Sequence, residues 1–137
     1  MTKQDFSHFK YYEKRLKEMG FRDASANDVD EDPYVLLQKQ IEGREYYVRL
    51  VDYSGYDKND FPHIKLNLFR SRYDTKGLVF VYKIGFDKDF QENIKPICEN
   101  QGEIINEYPT WRSAFNQLVK DYHELEKNTQ RGNFFIT

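Results

Sequence analysis

The sequence has a single cysteine, Cys98, so no internal disulfide can form. Long apolar runs are also missing. The longest uncharged one, Leu78 to Tyr82, falls far short of the roughly 20 residues that a membrane-spanning helix needs. No apolar segment follows Met1-Thr2-Lys3-Gln4-Asp5, so a secretory leader is not expected. One thiol, no leader and no span together predict a cytoplasmic protein without a membrane partner.

Chemical signatures are equally sparse. The glycines stand at 20, 43, 55, 77, 85, 102 and 132, and no set of them has the G-x-G-x-x-G or Walker spacing that lets backbone amides cradle a phosphate. Asp28, Asp30 and Asp32 begin like a calcium loop. Such a loop needs glycine at its sixth position and a bidentate glutamate at its twelfth, and Pro33 and Lys39 stand there instead. Cys98, His8, His63 and His123 are scattered along the chain, with no pair at the close spacing of a zinc site. Cys98 reads as a packed thiol rather than a nucleophile. His63 follows Asp60-Phe61-Pro62 at a loop-to-strand junction, and His123 lies off the apolar stripe of its segment. No metal or cofactor is expected, no catalytic residues are nominated, and a non-enzymatic protein is the favoured reading.

Aromatic residues are abundant: 17% of the 137 residues, with eleven Phe and eleven Tyr. Disordered chains are poor in such residues, so a folded body is predicted, and the length suits one domain over 1–137. Charge is unevenly spread although the net value is only -2. Segment 24–33 has four acids and no base, 34–86 has nine bases against six acids, and 87–137 has six bases against nine acids.

Hydrophobic periodicity sets the expected elements. Phe6, Phe9, Tyr12, Leu16 and Met19 share one helical face, and Gly20 is a natural stop with Phe21 able to fold back over the last turn. The period then changes to two. Tyr34–Ile41, Tyr46–Tyr53, the Ile64-Leu66-Leu68 run and Leu78–Phe86 read as four strands, with turns at Glu42-Gly43 and Asp74 to Gly77. After Asp87 a helical piece is suggested by Phe90, Ile94 and Ile97; Pro96 either breaks it or opens a short second helix. Ile104 and Ile105 fit a short strand or a core-packing loop. Thr110 is a candidate N-cap for a helix carrying Trp111, Phe115, Leu118, Tyr122 and Leu125 and ending near Asn128; residues 130–137 read as a tail. The predicted fold is α+β in two layers: a four-stranded antiparallel meander sheet with the N- and C-terminal helices packed on one face.

The open face of such a sheet is where function is expected. If the aliphatic parity of each strand meets the helices, the other parity presents Tyr47, Arg49 and Tyr53, then Lys65, Asn67 and Phe69, then Val81 and Lys83. Tyr, Phe and Arg concentrate at the centres of protein interfaces, and a small domain without a catalytic motif most often binds another protein as an adaptor, inhibitor, chaperone or immunity-type factor. Candidate partner-binding residues are therefore Tyr47, Arg49, Tyr53, Lys65, Phe69 and Lys83, with a protein partner favoured and a second copy of the chain also admissible. The alternative is single-stranded nucleic acid or RNA, its bases stacked on the rings and its phosphates on the cations. A lesser alternative is an enzyme whose active site leaves no short sequence motif.

Overall fold

The computed structural model describes residues 9–24, 34–51, 61–69 and 77–130. The elements run α1 (Phe9–Glu18), β1 (Arg22–Asp23), β2 (Tyr34–Ile41), β3 (Arg44–Val51), β4 (His63–Phe69), β5 (Leu78–Ile84), a π-helical turn (Phe90–Ile94), α2 (Lys95–Asn100), β6 (Glu103–Tyr108) and α3 (Trp111–Gln130).

Local chemistry explains the boundaries. Helix α1 ends in a Schellman motif: the Phe21 amide donates to the Leu16 carbonyl and the Gly20 amide to that of Lys17, both at 3.0 Å. Gly20 has φ +101°, a conformation that calls for glycine. Glu42 and Gly43, both at positive φ, form the tight turn that fixes the β2–β3 register. Helix α3 opens with a reciprocal cap, in which the Ser113 amide donates to Oγ1 of Thr110 and the Thr110 amide to Oγ of Ser113. Pro96, which has no N–H to donate, stands in the first turn of α2, directly after the π turn.

The six strands lie side by side in chain order. The first four pairings are antiparallel and the last, β5 with β6, is parallel. The α+β class and the terminal helices match the sequence expectation. Two corrections follow. The meander of four strands is extended by β1 and β6 to six. The N- and C-terminal helices, α1 and α3, share one side as expected, but the helical crossover that a parallel pair requires lies on the other, making three layers rather than two. Helix α3 also runs to Gln130, slightly past its expected end.

The side covered by α1 and α3, termed here the helix face, carries the main core. Strict alternation puts Leu37, Tyr46, Val48, Leu50, Ile64, Leu66 and Leu68 there, all fully buried against Phe9, Tyr12, Leu16, Phe115, Leu118 and Tyr122. Aromatic contacts join the layers: Phe9 meets Trp111 edge-on at 5.1 Å, and Tyr122 contacts both Phe21 and Tyr46. At one rim Lys39 ties β2 to both helices. Its ammonium donates to the Met19 carbonyl at 2.6 Å, to the Tyr122 hydroxyl and to Glu126 at 3.1 Å.

Candidate functional site

The opposite face is divided. Over β5 and β6 the π turn and α2 bury a second, smaller cluster of Val81, Phe90 and Ile105, edged by Phe61, Val79, Ile94 and Cys98. Over β1 to β4 no described helix lies on the sheet. Strand parity and register place Arg22, Leu36, Gln38, Tyr47, Arg49, Lys65, Asn67 and Phe69 on this second half. The sequence-predicted candidates therefore separate into two environments.

Lys83 is on the predicted side of the sheet but not at its surface. It is 4% exposed. Its ammonium lies 3.6 Å from Glu107, 4.8 Å from the centre of the Phe90 ring, and donates to the Gly85 carbonyl at 3.0 Å. Glu107 is equally enclosed and accepts from the Asp87 amide at 3.2 Å and the Gln91 side chain at 2.8 Å. The pair and its hydrogen bonds thus hold the start of the helical crossover onto the sheet. The sequence signal for this cover was the apolar parity of Val79 and Val81 on a face otherwise rich in cations.

On the half under no described helix, Tyr47 and Phe69 stand edge to face with ring centres 5.7 Å apart. Both are half-buried, as are Arg49, Lys65 and Asn67. Register puts Arg49 opposite Lys65 and Tyr47 opposite Asn67. Burial, with the nearby Glu45 charge adding to it, raises the Tyr47 hydroxyl and keeps it neutral. Lys65 reaches Glu103 of β6 at 4.0 Å. Tyr53 lies outside the described residues, as do Asp28, Asp30 and Asp32, Asp57 and Asp60, Arg70, Arg72 and Lys76.

His63 sits at the junction of the two halves. Its Nδ1 is 2.8 Å from the Phe61 carbonyl, and because a carbonyl only accepts, Nδ1 carries the proton. Burial lowers its pKa to about 4; the Phe61 bond opposes that shift, and the charges of Lys65 and Arg49 reinforce it. Cys98 is half-buried at the edge of the smaller cluster, and burial together with the Glu103 carboxylate pushes its thiol up. A thiol held protonated is the reverse of an activated nucleophile. His123 is exposed on α3, as its position off the apolar stripe predicts. Among the described residues no three His, Cys, Asp or Glu side chains converge as a metal-ion site, and no helix is long and apolar enough to cross a membrane.

Comparisons with protein-family models, with characterised proteins and with solved structures find no match to this chain.

Proposed function

We propose that this protein is a non-catalytic binding module that docks another protein on the half of the sheet that no described helix covers, with Tyr47 and Phe69 as the apolar centre and Arg49, Lys65 and Asn67 around them. The carrying observation is the division of one sheet face. The chain covers β5 and β6 with a dedicated helical layer and a buried ion pair. It leaves an aromatic pair on the neighbouring strands under no described helix. Half-buried aromatics flanked by polar and cationic groups are the composition of interface centres, where a few rigid rings supply most of the binding energy.

The same geometry weighs against nucleic acid. Phosphate binding draws on cations free to release counterions. Lys83 is enclosed and committed to Glu107, and Lys65 already reaches Glu103. Adaptor, inhibitor, chaperone and immunity roles all fit such a module.

Affinity capture with the tagged chain tests the reading, using native protein, Tyr47→Ala and Phe69→Ala, each with and without nuclease. The expected result is a stoichiometric protein that survives nuclease and is lost with either substitution. A protein retained by both variants would place the interface elsewhere. Capture that disappears with nuclease would transfer the site to nucleic acid.

A further inference from the structure

We infer that the outward surfaces of α1 and α3, the sides of these helices turned away from the sheet, bind the phosphate backbone of double-stranded DNA. This surface is separate from the half-sheet proposed above to dock a protein, and either reading can fail without the other.

The two helices lie side by side and run the same way. Phe9 meets Trp111 at 5.1 Å, Tyr12 meets Phe115 at 4.7 Å, and Phe21, just past α1, meets Tyr122 at 5.2 Å, so the contacts advance together along both. Each helix turns its apolar stripe to the sheet, which leaves the remaining face of both pointing away from it. The exposed charged residues on these helices are Lys10, Lys14, Lys17, Arg112, Lys120 and Lys127 against Glu18 and Glu124. Six cations to two acids is a marked local excess on a chain whose net charge is -2.

The cations are available. Lys17 pairs with Asp23 at 3.3 Å, but Lys10, Lys14, Arg112, Lys120 and Lys127 have neither an ion pair nor a hydrogen bond among the described residues. Most acids of the two helices are engaged. Asp121 accepts from Tyr82 at 2.6 Å, Glu126 from Tyr122 at 2.7 Å, and Glu18 lies 3.9 Å from Arg15. Half-buried Glu13 and exposed Glu124 remain to oppose the excess.

Geometry and chemistry select the occupant. From Arg112 to Lys127 α3 extends about 22 Å, over which one strand of B-form DNA presents about six phosphates. Single strands need rings to stack on, and Tyr11 is the one large exposed aromatic among the described residues of these helices. A protein interface needs apolar anchors at its centre, and Tyr11 alone supplies little of that. Membrane-surface helices present an apolar face to the lipid, whereas here that face is buried on the sheet. Duplex RNA is gripped largely through its 2′-hydroxyls, whereas these faces offer mainly point charges. A DNA backbone needs only such charges, which displace its counterions.

Fluorescence anisotropy with a labelled mixed-sequence DNA duplex of about 20 base pairs tests this, since the native affinity should fall at least a hundredfold between about 50 and about 200 mM salt. Lys120→Gln with Lys127→Gln, or Lys10→Gln with Lys14→Gln, should each weaken binding at least tenfold at the lower salt and reduce the slope of log K against log salt by about two. All four positions are exposed, and an unchanged circular dichroism spectrum should accompany each variant. Lys88→Gln with Lys95→Gln on the crossover, and Tyr47→Ala on the sheet, should leave binding unchanged.

A native chain that does not bind the duplex at low salt would overturn the inference, as would binding that both helix variants retain or that the crossover variant weakens equally. Tighter binding of a duplex RNA or a single strand of the same sequence would overturn the choice of DNA. Loss of DNA binding in Tyr47→Ala would move the nucleic acid to the half-sheet and end this reading and the protein-docking one together.

Discussion

The two sides of the sheet hold their helices by different means. On the helix face α1 and α3 bury a broad aromatic and aliphatic core, and Lys39 sits at its rim with three hydrogen-bond acceptors. On the opposite face the crossover rests on three fully buried apolar residues and an enclosed Lys83–Glu107 pair. Apolar contact is non-directional and tolerates sliding, whereas an enclosed ion pair with fixed donors accepts one position. The first face therefore supplies stability and the second supplies register: it sets where the crossover lies and so where the half-sheet beside it begins.

Substitutions on the two sides should separate these roles. The largest effect belongs to the helix face. Phe115→Ala, deleting a ring 4.7 Å from that of Tyr12 in the main core, should cost about 4 kcal/mol in urea denaturation, and half-buried Trp111→Ala about 2 kcal/mol. Next comes Lys83→Met, which strands the Glu107 carboxylate without its cation and should cost about 3 kcal/mol; adding Glu107→Leu should restore most of it. A double variant no more stable than the single one would mean that the pair does more than neutralise itself. Third is a pH effect confined to the boundary between the halves. His63 is favoured neutral in the fold, with a pKa of about 4 against an ordinary value of 6.5. Stability should be complete above the ordinary value and fall by about 3 kcal/mol as pH drops through that window, and His63→Asn should flatten the dependence. Glu126, lowered from 4.5 because bonds from Tyr122 and Lys39 outweigh its burial, adds its own loss only at the acid end. Smallest of all should be Phe69→Ala on the half under no described helix, under about 1 kcal/mol in stability, although the same change should abolish partner capture.

How much of this could be read in advance follows the same division. Both terminal helices and strand β4 were legible because each buries one face and so obeys a single period: Ile64 and Leu66 alternate with His63, Lys65 and Asn67, and Phe115, Leu118 and Tyr122 recur at helical steps, while β5, covered on both sides, showed instead as a continuous apolar run. Gly20, Phe21 and Thr110 announced their caps. Strand β6 was harder, because Ile105 turns to the crossover while Ile104 turns to the other side and is 43% exposed, so adjacent apolar residues serve opposite faces and no alternation shows. Strand β1 has only two residues and no period at all. Lys83 was assigned to the correct side by parity, but parity reports the side of a residue and not what lies above it. The aromatic pair of Tyr47 and Phe69 was legible as a candidate surface; the helical layer that gives it an outline came only from the pairing of β5 with β6.

The matching of strand order to chain order has a consequence for how the molecule is made. Each of the first four pairings joins neighbouring segments, so each closes a modest loop and can form soon after its second strand appears. The sheet grows by one edge at a time, each strand templated by the one before. Helix α3, which supplies Ala114, Phe115, Leu118 and Tyr122 to the main core, lies beyond all six strands in the chain. During synthesis, therefore, Val48, Leu50, Leu66 and Leu68 stay without their α3 cover until the ribosome has passed Leu125, and that interval is when the nascent chain is most open to aggregation and to chaperones.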